Sequence, residues 1–134
     1  MKTTRNFLIF FCLILNQNLN SIEENDRWKI VTEEPETGAL LYVDSESIKR
    51  KNGFTYIWVL TNYQKPRQQK YYSNKAYWMV DCDLMKYKFL DVTFFEKTFG
   101  GGNVRTLPAL GDKWNFASPQ SIGYNILEYV CESN

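Results

Sequence analysis

Hydrophobic and polar residues alternate along most of this chain, a pattern typical of β-strands that bury one face. The alternation is longest over residues 54–63, whose sequence is FTYIWVLTNY. There the even-numbered side chains share one face and the odd-numbered ones the other. The pattern predicts six strands, at residues 27–32, 39–44, 54–63, 75–83, 87–95 and 104–107.

The segments between these strands carry residues that favour turns. Asn52-Gly53 is a strong short-range hairpin signal, because both residues tolerate positive φ. The three glycines at 100–102 predict a turn or bulge. They lack the Gly-Lys-Ser/Thr ending and the following helix of a phosphate-binding loop. Residues 64–74 (QKPRQQKYYSN) break the alternation and are predicted to form a loop.

The last element has a helical period. Ser118-Pro119 is typical of an N-cap followed by proline at the first helical position. The apolar positions that follow at helical spacing are Ile122, Ile126, Leu127 and Val130, which predicts a helix ending near Cys131. The fold class is therefore α+β, with an antiparallel β-sheet (meander) of about six strands and one C-terminal α-helix on one face.

The first residues resemble an export signal. Lys2 and Arg5 precede a nine-residue apolar run at 7–15, which is too short for a bilayer span of about 20 residues. We expect residues 1–21 to be a signal peptide and residues 22–134 to form a single domain. Cleavage near Ser21 leaves no membrane span. Phe11 does not fit the small residue that precedes a lipidated cysteine, so Cys12 is not expected to carry lipid.

Composition removes several classes of function. The chain of 134 residues has no His, which excludes Ser-His-Asp and Cys-His catalysis and removes the commonest zinc and haem ligand. Lys and Arg number 16 against 15 Asp and Glu, so the charge gives no case for nucleic acid. Aromatic residues make up 16% of the chain, which suits a folded, strand-rich domain. No cofactor is expected.

Two cysteines remain after removal of the leader, Cys82 and Cys131. In an exported chain such a pair most often forms a disulfide, although two buried free thiols remain an alternative. A bond across so long a segment contributes roughly 4 kcal/mol in the chain-entropy model. It would fasten the helix to the sheet face that carries Cys82, Trp78 and Val80, and this face is the predicted core.

The polar constellations give weak support for an enzyme. Asp81 and Asp83 share a strand face, but no oxygen-rich cluster follows at calcium-loop spacing, so a solvated face is favoured over a metal. The segment 44–47 (DSES) offers the carboxylates of Asp44 and Glu46 and serine hydroxyls near Lys49. A turn is the preferred interpretation, with a carboxylate enzyme or a Ser-Lys dyad as the alternatives. The protein is predicted not to be an enzyme.

A basic segment is the strongest binding candidate. Residues 64–75 concentrate cationic and tyrosine side chains and contain no acid. Arginine and tyrosine are favoured anchors of protein interfaces. The alternative is a solvated edge loop, where lysine discourages strand pairing. The candidate partner-binding residues are Lys65, Arg67, Lys70, Tyr71, Tyr72 and Lys75.

Several short motifs, taken in order, resemble the surface-adhesin protein E family of Gram-negative bacteria. The first is YVDSESI at residues 42–48. The others are Asp81-Cys82 followed by Tyr87, the run 94–96 (FFE) with FGGG at 99–102, and Ser118-Pro119 through YVC at 129–131. The likeness extends over about residues 27–132.

This resemblance implies a six-stranded antiparallel sheet whose C-terminal helix is held by a disulfide. It implies a cell-surface protein that binds host matrix and serum proteins such as vitronectin and laminin. The host-binding segment of the family corresponds here to Lys65, Pro66, Arg67 and Lys70. Haemin binding is described for some members, but without His such a site would need tyrosine or methionine.

Two hypotheses follow. The first is an exported, non-enzymatic protein-binding module at the cell surface. The second is a periplasmic envelope protein that binds an internal partner or a small apolar ligand, in a site lined by Trp58, Trp78 and tyrosines. Exposed strand edges also leave a homodimer open.

Overall fold

A computed structural model describes residues 26–107 and 112–132. Within them the chain forms one antiparallel sheet and one long helix. The strands are β1 (Trp28–Glu33), β2 (Leu40–Asp44), β3 (Lys49–Lys51), β4 (Phe54–Arg67), β5 (Tyr71–Asp81), β6 (Lys86–Phe95), β7 (Val104–Leu107) and β8 (Asn115–Phe116), and the helix is α1 (Ile122–Glu132). Short 3-10 helices at Ser45–Ser47 and Thr98–Gly100 interrupt the connections.

The sheet confirms the predicted meander. Its main path is β1-β2-β4-β5-β6-β7, and the short β3 and β8 pair with β4 and β6. The six strands of that path correspond to the six predicted strands. The hairpin between β3 and β4 turns at Asn52 and Gly53, whose φ values of 53° and 81° are the paired positive angles of a type I′ turn.

The core lies between α1 and one face of the sheet. In β4 the odd-numbered Ile57 and Val59 are buried, and in β5 the even-numbered Trp78 and Val80 face the same way. Helix α1 places Ile126, Leu127 and Val130 on this face with no solvent exposure, as the helical spacing predicts.

The start of the helix differs from the prediction. Ser121, and not Ser118, caps α1, because the Oγ atom of Ser121 accepts a hydrogen bond from the Tyr124 amide at 3.1 Å. Residues 118–121 instead form a turn in which the Ser121 amide donates to the Ser118 carbonyl. Pro119 therefore lies before the helix and directs the chain into it.

A disulfide joins Cys82 to Cys131, with an S–S distance of 2.10 Å and the Cα atoms 5.7 Å apart. Cys82 directly follows β5, and Cys131 lies in the last turn of α1. The bond therefore fixes the end of the helix to the sheet. Strand β5 ends earlier than predicted, because the Asp81 carboxylate accepts from the Asp83 and Leu84 amides, each at 3.1 Å, and closes a turn.

The predicted loop at 64–74 is wrong. Strand β4 continues to Arg67, β5 begins at Tyr71, and only three residues connect them. Gln68 and Gln69 have positive φ, and the Lys70 amide donates to the Arg67 carbonyl. The segment lacks hydrophobic alternation because the strand pairing is irregular here: Asn62 pairs with Ser73 and Arg67 with Tyr71, with a register shift between them.

The opposite face of the sheet is rich in aromatic residues. Tyr77 stacks against Trp58 and Tyr56, with ring centroids 4.8 and 6.0 Å apart. At one end of this face the glycine-rich segment confirms the predicted turn. It places Phe99 edge-on against Tyr42 at 5.3 Å.

Candidate functional site

A groove opens on the helix-side face of the sheet, next to α1. It encloses about 860 Å³. Such a volume falls within the roughly 300–1,000 Å³ typical of small-molecule sites. Its floor is formed by apolar side chains of the four central strands: Leu41, Val59, Ala76, Trp78, Phe89, Val92 and Phe94.

The groove exists because the strands are much longer than the helix. Strand β4 has 14 residues, which at the strand rise spans about 46 Å. Helix α1 has 11 residues and spans about 16 Å. One helix therefore cannot cover the whole apolar face, and the part towards the β4–β5 turn stays open.

The inner end of the groove is closed where α1 begins. Tyr87 stacks on Trp78 with ring centroids 4.5 Å apart, and Phe89 meets Trp78 edge-on at 5.2 Å. Gly123 lies against the Tyr87 ring, since a Cβ atom there would come within 2.9 Å of it. The Trp78 indole N–H is packed away from solvent and has no partner among the described residues.

The mouth of the groove is polar. Tyr63, Lys65 and Arg67 line the groove here, together with Gln64 and Pro66. The Arg67 guanidinium lies 5.4 Å from the centre of the Tyr63 ring. Asn74 donates a hydrogen bond to the Tyr63 hydroxyl. Burial raises the pKa of Tyr63, so this hydroxyl stays protonated.

Two acids also border the mouth, Glu34 and Glu36. The Glu34 carboxylate is bound within its own turn, because it accepts hydrogen bonds from the Thr37 amide at 2.8 Å and from the Thr37 hydroxyl. These bonds lower the pKa of Glu34. Neither Lys65 nor Arg67 forms an ion pair with a carboxylate of the described part of the chain.

The other candidate partner-binding residues lie apart from the mouth. Lys70 forms a salt bridge with Glu96 at 3.0 Å, and this bond lowers the pKa of Glu96. Tyr71 is buried and packs against Phe94. Tyr72 is exposed.

Lys75 lies on the opposite face of the sheet. It pairs in register with Leu60, and its ammonium group lies 5.5 Å from the Trp28 ring centre and 5.6 Å from that of Phe95. The structure therefore brings together Lys65 and Arg67 but separates Lys75 from them. The basic residues of 64–75 are neighbours in sequence and therefore suggest one surface patch. In a strand, successive side chains point to opposite faces, so the sheet divides these residues between its two faces.

The DSES segment is structural. Asp44 is buried and accepts two hydrogen bonds from Arg27, at 2.7 and 2.6 Å. Its carboxylate also accepts from the Glu46 amide. The Ser47 hydroxyl donates to the Asp44 carbonyl and accepts from the Trp58 amide, and Ser45 donates to the Arg27 carbonyl. These side chains hold the end of β2 in place.

Metal-ligand clusters and membrane-spanning helices are both missing from the described residues. No group of three or more metal-ligating side chains occurs within residues 26–107 and 112–132. No helix in that part of the chain is long and apolar enough to cross a membrane. The predicted leader at 1–21, with Cys12, lies outside the described residues.

The fold and the groove define a small α+β domain in which a disulfide fastens one helix to an antiparallel meander. A sequence model of the surface-adhesin protein E family matches residues 28–132, and the chain belongs to that family. No curated protein matches the sequence.

Solved structures of Haemophilus influenzae protein E share this fold. Crystal form II matches with a TM-score of 0.61 and 18% identity, covering 78% of this chain and 87% of that one. A second structure of the same protein gives 0.58 at 18% identity, with 78% and 83% covered. Protein E from a non-typeable strain gives 0.56 at 17% identity, with 78% and 75% covered.

Proposed function

We propose that this protein is an exported, non-enzymatic binding module that engages a protein partner through the tip of the β4–β5 hairpin. The observation that carries the proposal is the pair Lys65 and Arg67, presented at the tip and not engaged by carboxylates of the described residues. Membership of a surface-adhesin family supports a partner at the cell surface. The family resemblance makes host matrix and serum proteins the first candidates.

The hairpin suits this role physically. Strand β4 extends to Arg67, which pairs with Tyr71 across the turn, so the cationic side chains lie on a strand rather than in a long loop. An ordered surface loses less conformational entropy on binding than a loop does. Pro66 lies between the two cationic residues and restricts the backbone there.

The experiment measures binding of the purified, disulfide-bonded protein to immobilised vitronectin and laminin. The test variant carries Lys65→Glu and Arg67→Glu. The matched control carries Lys49→Glu and Lys51→Glu, which make the same charge change on the exposed strand β3. Saturable binding that only the test variant loses supports the proposal. Equal binding by both variants rules out the hairpin tip, and no binding by folded protein rules out these partners.

Protease treatment of intact cells tests the location. Cleavage of the protein on whole cells supports surface display. Protection until the outer membrane is opened favours the periplasmic alternative, in which the partner is internal or a small apolar ligand. The groove supports a ligand in that alternative, and Trp78 lines it. Trp58 lies on the other face of the sheet and does not line the groove.

A further inference from the structure

We propose that the groove binds a single-chain fatty acid, with the acyl chain along the apolar floor and the carboxylate at Lys65 and Arg67. This inference goes beyond a protein partner and does not depend on one. It rests on the shape and chemistry of the groove in the described residues.

The floor supplies the site for an acyl chain. Val59, Ala76 and Val92 lie side by side across β4, β5 and β6, because Val59 pairs with Ala76 and Ala76 with Val92. Trp78 lies at the inner end of this surface, and Phe94 lies towards the mouth. An unbranched chain placed along the strands removes apolar area from water on both sides, and this is the dominant favourable term in binding.

The mouth supplies the site for an acidic group. Arg67 presents a guanidinium whose planar fork matches a carboxylate, and Lys65 adds a second positive charge. The Tyr63 hydroxyl accepts from Asn74, which leaves its own hydrogen free to donate. The negative charges at the mouth are those of Glu34, whose carboxylate is held by its own turn, and of the exposed Glu36.

The arrangement is polarised along its length. Apolar side chains occupy the closed end by α1, and charged side chains occupy the open end by the hairpin turn. A ligand with one apolar end and one acidic end can contact the apolar side chains at the closed end and the cations at the open end. A fully apolar ligand leaves the cations without an anionic partner, and a short polar anion leaves the apolar floor without contacts.

The test is displacement of the fluorescent fatty acid 11-(dansylamino)undecanoic acid from the purified, disulfide-bonded protein. The competing ligands are dodecanoate, dodecanol and dodecylamine, which differ only in the head group. We expect one saturable site and the affinity order dodecanoate, dodecanol, dodecylamine. Absence of saturable probe binding, or dodecylamine competing as well as dodecanoate, overturns the proposal.

Two variants separate the head-group contacts from the floor. Lys65→Ala with Arg67→Ala should weaken dodecanoate about threefold to tenfold and leave dodecanol unchanged. Lys49→Ala with Lys51→Ala is the matched control and should change neither ligand. Equal weakening of both ligands by the first pair contradicts the assigned orientation.

Ala76→Leu fills the floor and should weaken every ligand, with folding checked by the thermal transition. Binding that survives this change in a folded protein places the ligand elsewhere and overturns the proposal. Because Ala76 is buried beneath the groove, this variant should leave a partner bound at the hairpin tip unaffected. Failure of the fatty-acid proposal is thereby distinguishable from failure of the protein-binding proposal.

Discussion

Gly123 in the first turn of α1 packs directly against the ring of Tyr87 in β6. A Cβ atom at position 123 would lie 2.9 Å from one ring carbon and 3.0 Å from the hydroxyl oxygen. Tyr87 cannot move away freely, because its ring also stacks on the buried Trp78. The absence of a side chain at Gly123 therefore sets how closely the helix approaches the sheet.

Gly123→Ala should destabilise the protein despite the better helix propensity of alanine. Propensity gains up to about 1 kcal/mol, whereas overpacking against a fixed ring costs about 1–3 kcal/mol. We expect a net loss of about 1 kcal/mol in the free energy of unfolding, measured with urea. In a Tyr87→Ala background the same change should be neutral or stabilising. A similar loss in both backgrounds would show that the ring contact is not the cause.

Removal of the disulfide should destabilise the protein more strongly than Gly123→Ala does. The bond spans 49 residues, and the chain-entropy model gives roughly 4 kcal/mol for such a loop. Cys82→Ala with Cys131→Ala should lower the urea midpoint strongly and separate the end of α1 from the sheet. Reducing agent should destabilise the original protein and leave the double variant unchanged. A midpoint insensitive to reduction would contradict this.

Ser73 anchors the turn that carries Phe99. Its fully buried hydroxyl donates to the Lys97 carbonyl at 2.6 Å and accepts from the Gly100 amide at 2.9 Å. Ser73→Ala leaves both main-chain groups unpaired, and we expect a loss of about 2 kcal/mol. Amide hydrogen exchange should accelerate at residues 97–101. Ser45→Ala, which removes one exposed hydrogen bond, is the control and should have a much smaller effect.

Two half-buried tyrosines should make the protein sensitive to alkali. Burial raises the pKa of both Tyr63 and Tyr87 above the ordinary value of 10.0. The unfolded chain therefore releases these protons at lower pH than the folded one, so stability falls as pH rises from about 10 through the folded pKa values. Urea midpoints at about pH 9 and about pH 11 measure the fall.

Tyr87→Phe should reduce this dependence on pH, because it removes one of the two shifted groups. Absorbance of tyrosinate gives an independent check on the wild-type protein. The ionisation of Tyr63 and Tyr87 should occur above the ordinary pKa of 10.0. A single transition near pH 10 with unchanged stability would contradict the prediction.

Much of the fold was predictable because period and turn chemistry are local properties. Alternation located the six main strands, and Asn52-Gly53 located a hairpin. Strand β6 shows where alternation fails. Its pairing with β5 shifts between Tyr77 and Trp78, so that Phe89 and Val92 both face the helix although their numbers differ in parity. A bulge of this kind is decided by the neighbouring strand.

The candidate site was only partly predictable. Lys65 and Arg67 were recognised from their charge, and the structure places both at the mouth of the groove. The sequence assigns the floor residues Val92 and Phe94 to a strand but does not indicate that a groove opens above them. Comparing the predicted lengths of strand and helix could have indicated an open face. Position in sequence groups Lys75 with the hairpin, whereas the structure places it on the other face of the sheet.

The sequence by itself determined the six main strands, the C-terminal helix and their antiparallel order, and it favoured a bond between the two late cysteines. These follow from short-range periodicity, from turn residues with particular φ and from the tendency of a cysteine pair in an exported chain to form a disulfide. Tertiary structure alone decided the extension of the β4–β5 hairpin, the division of its charges between two faces and the open groove beside α1. Those features depend on how far one element reaches across another, a distance that no local pattern of residues encodes.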